Sequence, residues 1–142
     1  MITLDELFRL PGATLADTVA ITGADPQARH PVTGYQRLTD LDVIEGRGVA
    51  VYLRGASVVL TYVEARALPP GLDSDALAAA AGADGEILRS RQGKRASMHL
   101  LAGRGLAWSE MDGHIGFIEL FPPTTTRDYR DRIYTEPAPF HR

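Results

Sequence analysis

Four basic side chains crowd one stretch of this chain: Arg89, Arg91, Lys94 and Arg95 in LRSRQGKR. On a hairpin, Arg89 and Arg91 would share a face, and Lys94 and Arg95 would sit just past the turn. Guanidinium forks grip phosphate or carboxylate oxygens two at a time, so this tip suits an anionic ligand or an acidic protein partner. A solvated tip that keeps a sheet edge soluble has the same composition. Asp40, Asp42 and Glu45 offer a partner within the molecule, and such pairing would cancel both signals. Acid–base chemistry has one plausible set of residues. His99 lies on a strand-like segment, with Glu110, Asp112 and Glu119 on the segments that follow it. If His99 meets Glu110 or Glu119 across a sheet, the pair could move a proton. The bland reading is a structural or merely exposed histidine.

Other chemistries lack support. His30, His99, His114 and His141 form no H-E-x-x-H and no His-x-His pair, so no metal is expected. The absence of cysteine removes thiolate ligands and a thiol nucleophile together. The serines lack a G-x-S-x-G elbow, and no Walker or dinucleotide fingerprint is present, so no cofactor is expected. The aromatic residues (Tyr35, Tyr52, Tyr62, Trp108, Phe117, Phe121, Tyr129, Tyr134 and Phe140) suit either a core or an exposed platform of interface anchors. Trp108 is the candidate anchor.

The elements that must position these groups fit into 142 residues, enough for one domain, with 44% hydrophobic and 23% charged residues. A formal net charge of -3 disfavours nucleic acid as a partner. No apolar run has the length of a membrane span. The N-terminal MITLDELFRLPG has neither the basic nor the apolar region of a signal peptide, which sets a cytoplasmic default. Abundant Ala, Gly and Arg give the chain a bacterial look.

Thr3 and Glu6 form a capping box for a short helix over 3–9, closed at Gly12. Residues 14–22 alternate as a strand would. Residues 23–34, with two prolines and two glycines, read as an exposed loop. Strands follow over 35–43 and, as a hairpin turning at Arg54-Gly55-Ala56, from Gly48 to Ala65. A connector at 67–75 leads to a helix over 75–81, capped by Asp73 or Ser74 and ended by Gly82. Strands over 86–91, 96–102, 105–111 and 114–121 complete the second half. Asp112-Gly113 marks the last hairpin. A C-terminal helix spans 124–134 with Thr125 or Thr126 as cap, and Phe140 in the tail could dock on the body.

Residues 47–60 and 104–118 align with one gap at the turn. Arg47-Gly48 matches Arg104-Gly105, Gly55 matches Gly113, and Pro69-Pro70 and Pro122-Pro123 close the two hairpins. The halves run over about 1–66 and 73–123, each opening with a short helix ended by Gly12 or Gly82, and the loop at 23–34 is the insertion in the first. A helix with a short meander cannot bury its sheet face alone, so two such units would share one sheet. This element order resembles the tandem repeats of β-lactamase-inhibitor proteins and BamE-like domains, best over 75–121 and weakly over 3–65. The resemblance implies a protein-binding sheet face.

The expectation is an α+β single domain: an antiparallel sheet from two helix-plus-meander halves, short helices on one face and a C-terminal helix. The expected role is a cytoplasmic protein-binding module of inhibitor or immunity type, monomer or homodimer, using a sheet face, the basic tip at Arg89, Arg91, Lys94 and Arg95, and Trp108. The alternatives are a small cyclase- or isomerase-like enzyme using His99 with Glu110 or Glu119, and a module for an anionic metabolite.

Overall fold

A computed structural model describes residues 1–83 and 85–138. Its four α-helices each begin at a side-chain cap that accepts from a backbone N–H. These are α1 (Leu4–Leu7, capped by Thr3), α2 (Leu15–Thr22, Thr14), α3 (Ser74–Ala81, Asp73) and α4 (Thr126–Arg132, Thr125). Eight strands follow in chain order: β1 (His30–Tyr35), β2 (Leu38–Gly46), β3 (Val49–Arg54), β4 (Ser57–Glu64), β5 (Glu86–Arg89), β6 (Ser97–Leu101), β7 (Leu106–Met111) and β8 (His114–Leu120). They form one antiparallel sheet ordered β1-β2-β3-β4-β8-β7-β6-β5. Two four-stranded meanders thus meet at their last strands.

The two meanders share one register. Every β3–β4 pair, from Val49↔Val63 to Arg54↔Ser57, has a β7–β8 counterpart in which both members lie 57 residues further on, from Leu106↔Leu120 to Met111↔His114. The irregularities coincide as well, at Tyr52/Leu53 and at Ser109/Glu110. No gap at the turn is needed: each hairpin closes through two residues, Gly55-Ala56 in one and Asp112-Gly113 in the other. Under this offset Tyr62 and Glu119 exchange, and they are direct partners between β4 and β8. The pseudo-twofold axis therefore passes through the Tyr62–Glu119 pair.

Three segments depart from the sequence reading: the strand read over 35–43 is broken by the β1–β2 turn at 36–37, and two others change element. Residues 14–22 form α2, not a strand. Leu15 and Val19 are four apart, Thr14 caps, and Gly23 takes the left-handed φ of 71° that ends a helix. The counterpart of α3, which ends at Gly82 with φ 84°, is therefore α2 rather than α1. The supposed loop at 23–34 holds all but the last residue of β1, which pairs with β2 as β5 pairs with β6, so it is not an insertion. Phe140 lies outside the described residues.

Strand alternation divides the core between the two faces of the sheet. On one face Val49, Val51, Leu53, Val63, Leu106, Trp108, Ile118 and Leu120 pack beneath Leu7, Leu10, Leu77, Ala78 and Ala81 of the N-terminal segment and α3. On the other, Leu60, Met98, Leu100, Ala107, Phe117 and Phe121 pack against Tyr129, Ile133 and Tyr134 of the C-terminal segment. No described helix is long and apolar enough to cross a membrane.

Candidate functional site

The second face is concave, and a single hydrogen bond shows how strongly. Tyr35 of β1 donates its hydroxyl to Oε2 of Glu119 in β8. These strands are four steps apart in the sheet, about 19 Å if it were flat. No tyrosine bridges that distance, so the sheet curls until its β1–β2 turn stands over its middle. Arg91, in the loop after β5, arrives from the opposite edge. Its Nη2 donates to the Tyr35 hydroxyl at 2.8 Å and its Nη1 lies 3.7 Å from Glu119 Oε2. Tyr129 of α4 donates to Glu119 Oε1 at 2.5 Å, and Gln36 Nε2 to Oε2 at 2.9 Å.

Glu119 is fully buried, yet both of its oxygens have donors. Burial pushes its pKa above the usual carboxylate value, against the pull of Tyr129, Tyr35, Arg91 and Gln36. Burial and the neighbouring carboxylate push the hydroxyls of Tyr35 and Tyr129 far upward, so both stay protonated donors. Burial also opposes the Arg91 charge, but Tyr35 and Glu119 outweigh it and raise its pKa. Arg91 lies over the rings of Phe117 at 4.4 Å and Tyr35 at 5.0 Å. The cavity beside this network, between Gln36, Arg91, Met98, Phe117, Tyr134 and Thr135, is only about 10 Å³. That is room for about one water molecule, too little for a substrate.

An accessible site adjoins the network on the first meander's half of the concave face. It is a groove of about 430 Å³. Val43, Ala50, Tyr52 and Tyr62 form its floor, and Glu45, Glu64 and Arg66 stand on its rim. Burial raises the pKa of both half-buried tyrosines. Their rings continue into the network: Tyr52 lies 4.9 Å from Tyr35, and Tyr62 lies 5.2 Å from Phe117, centroid to centroid. On the other half of the face α4 covers the matching strands.

The residues singled out in the sequence scatter. Trp108 is no surface anchor. Residues on β7 that share its parity face the helices, so its ring is fully buried and its Nε1 donates to Ser74 Oγ of α3 at 2.9 Å. His99 and Glu110 do meet, with Nε2 and Oε1 3.2 Å apart, and His99 stacks on Trp108 at 4.8 Å. Glu119 does not join them. His99 pairs with Trp108 and Glu119 with Ala107, neighbours on β7 whose side chains point to opposite faces. The basic tip is divided too. Strand β5 ends at Arg89, so alternation no longer relates it to Arg91. Arg89 donates to the Pro137 and Ala138 carbonyls, Arg91 enters the Glu119 network, and Arg95 pairs with Asp112 at 2.7 Å. Lys94 lines a shallow cleft with Arg89, Arg130 and Glu136. Asp42 pairs with Arg29 rather than with this tip. Tyr52 and Tyr62 were visible as aromatic residues, but the uncovered face was not. It depends on where α4 docks.

Comparison with known proteins adds no relative: no family model matches the chain, and no curated protein or solved structure matches it significantly.

Proposed function

We propose that this protein is a non-catalytic protein-binding module of inhibitor or immunity type, and that the groove over β2, β3 and β4 is its interface. One observation carries this reading. Among the described residues, the concave face is covered by α4 on one half and left open on the other, where Tyr52 and Tyr62 stand half-buried at the centre of a polar-rimmed groove. Aromatic anchors ringed by polar groups are what interface hot spots are made of. The buried carboxylate supports the same reading, because its acceptor sites are filled by the protein's own donors. The binding surface moves from the basic tip to the groove, since Arg91 and Arg89 are engaged within the fold.

The test is affinity capture from lysate of the source organism with two baits, the native chain and a Tyr52→Ser/Tyr62→Ser double variant. The native chain should retain one stoichiometric partner and the variant should lose it, while their melting temperatures stay within a few degrees. No stoichiometric partner, or a partner held equally by both baits, would overturn the reading.

A further inference from the structure

We infer that the groove receives a helical segment of the partner, bearing arginine or lysine beside an apolar anchor. The inference rests on the protein-binding reading above. The pseudo-twofold axis supplies the template, because the second half of the molecule shows what lies on this surface. There α4 seals a face that includes Ala107, Leu100, Met98 and Phe121. The shared register gives each a counterpart in the groove. Ala107 corresponds to Ala50 and Phe121 to Glu64, through the offset of 57. Leu100 pairs with Ala107 as Glu45 pairs with Ala50, and Met98 pairs with Ser109 as Val43 pairs with Tyr52. The groove thus repeats the strand register on which a helix already sits, and two apolar positions under that helix are replaced by carboxylates.

This exchange defines the occupant's chemistry. A helix as apolar as the buried side of α4 would leave Glu45 and Glu64 desolvated and unpaired, which is costly. A segment with cations at those points would not. Arg66 answers Glu64 at 2.6 Å in an exposed pair, and His30 lies 4.0 Å from Glu45. Exposed pairs of this kind are weak and exchange readily for a better-placed cation. The molecule also contains the contact such a cation would make. Arg91 lies over Tyr35 and Phe117 beside the Glu119 carboxylate, and a partner's guanidinium over Tyr52 or Tyr62 beside Glu45 would repeat it. Strand addition fits this half less well, because its free edge is β1, which carries Pro31.

The probe is a displayed library of helix-forming peptides of about 18 residues, roughly five turns. It is selected on the native chain and depleted on the Tyr52→Ser/Tyr62→Ser variant. Enriched peptides should carry arginine or lysine one turn from an aromatic or aliphatic residue. Their affinity should fall at least about tenfold, or roughly 1.4 kcal/mol, in a Glu45→Gln/Glu64→Gln variant of unchanged melting temperature. Enrichment of neutral or acidic peptides, no loss in the glutamine variant, or no enrichment at all would each overturn the inference. The protein-binding reading fails separately: a captured partner that needs the tyrosines but ignores both glutamates would leave it standing while sinking this one.

Discussion

Four separate segments converge on Glu119: β1, the β1–β2 turn and α4 donate hydrogen bonds to it, and the β5–β6 loop brings Arg91 into an ion pair with it. Removing it leaves two tyrosine hydroxyls and the Gln36 amide without their acceptor and Arg91 without its counter-charge. Glu119→Ala should therefore destabilise the protein by about 3–5 kcal/mol, the range for breaking a buried charged network. The pH dependence has a definite sign. The folded pKa of Glu119 lies above the unfolded one, so folding favours the protonated carboxyl. Its contribution is fully present below the unfolded pKa and is lost as pH rises through the folded pKa. Urea melts of the native chain and Glu119→Gln across that window should show this falling component in the native chain alone. Parallel curves would refute the assignment. The sequence marked Glu119 as a proton-transfer candidate beside His99. Only the register of β6, β7 and β8 places the two on opposite faces, and register depends on pairings that a single sequence does not display.

At the scale of elements, the turns and caps were legible because their chemistry is local. Thr3 with Glu6, Asp73 with Gly82, and Asp112-Gly113 occupy the positions their residue types imply. The segment 14–22 was misread because Leu15, Val19 and Ile21 fit both alternation and a helical face, and the decisive marks were Thr14 and Gly23 at its ends. The repeat likewise shows what local pattern leaves open. Gly48 and Gly105 are register counterparts with φ of 72° and 63°, each before the first strand of its hairpin. An added Cβ at Gly48 would meet the Ala67 and Arg66 side chains at 3.1 Å, and Arg66 is exposed and able to move. At Gly105 it would stand 2.0 Å from the Phe121 carbonyl oxygen, which is fixed backbone. Both alanine variants bear the left-handed strain of about 1–2 kcal/mol. Gly105→Ala should lose clearly more, by at least about 2 kcal/mol beyond Gly48→Ala, as overpacking against backbone does. Equal losses in paired denaturation curves would show that the two turns relax alike.

At the scale of the molecule, the curl of the sheet links parts far apart in sequence. The β1–β2 turn holds the C-terminal segment directly: Arg37 donates from its backbone to the Ile133 carbonyl at 3.1 Å and from Nε to that of Tyr134 at 2.8 Å. The Thr135 backbone N–H in turn donates to Gln36 Oε1 at 3.0 Å. Tyr35 and Tyr129 bring the same two segments onto one carboxylate. The turn, the strap formed by α4 and residues 133–135, and the network beneath them should therefore loosen as a unit, whereas the face under α1 to α3 has its own core. Tyr35→Phe tests this with a single oxygen, deleting a donor to Glu119 and an acceptor for Arg91 while keeping the ring against Tyr52. Leaving those groups unsatisfied should cost about 1–3 kcal/mol. Amide exchange should quicken together at the turn and across 126–135, while α3 and the Trp108 strand keep their protection. Acceleration confined to the turn would mean that the strap is held by its own apolar contacts. Acceleration spread evenly over all eight strands would mean that the two faces do not open separately, and the curl would then be a property of the whole sheet rather than of the clamp across it.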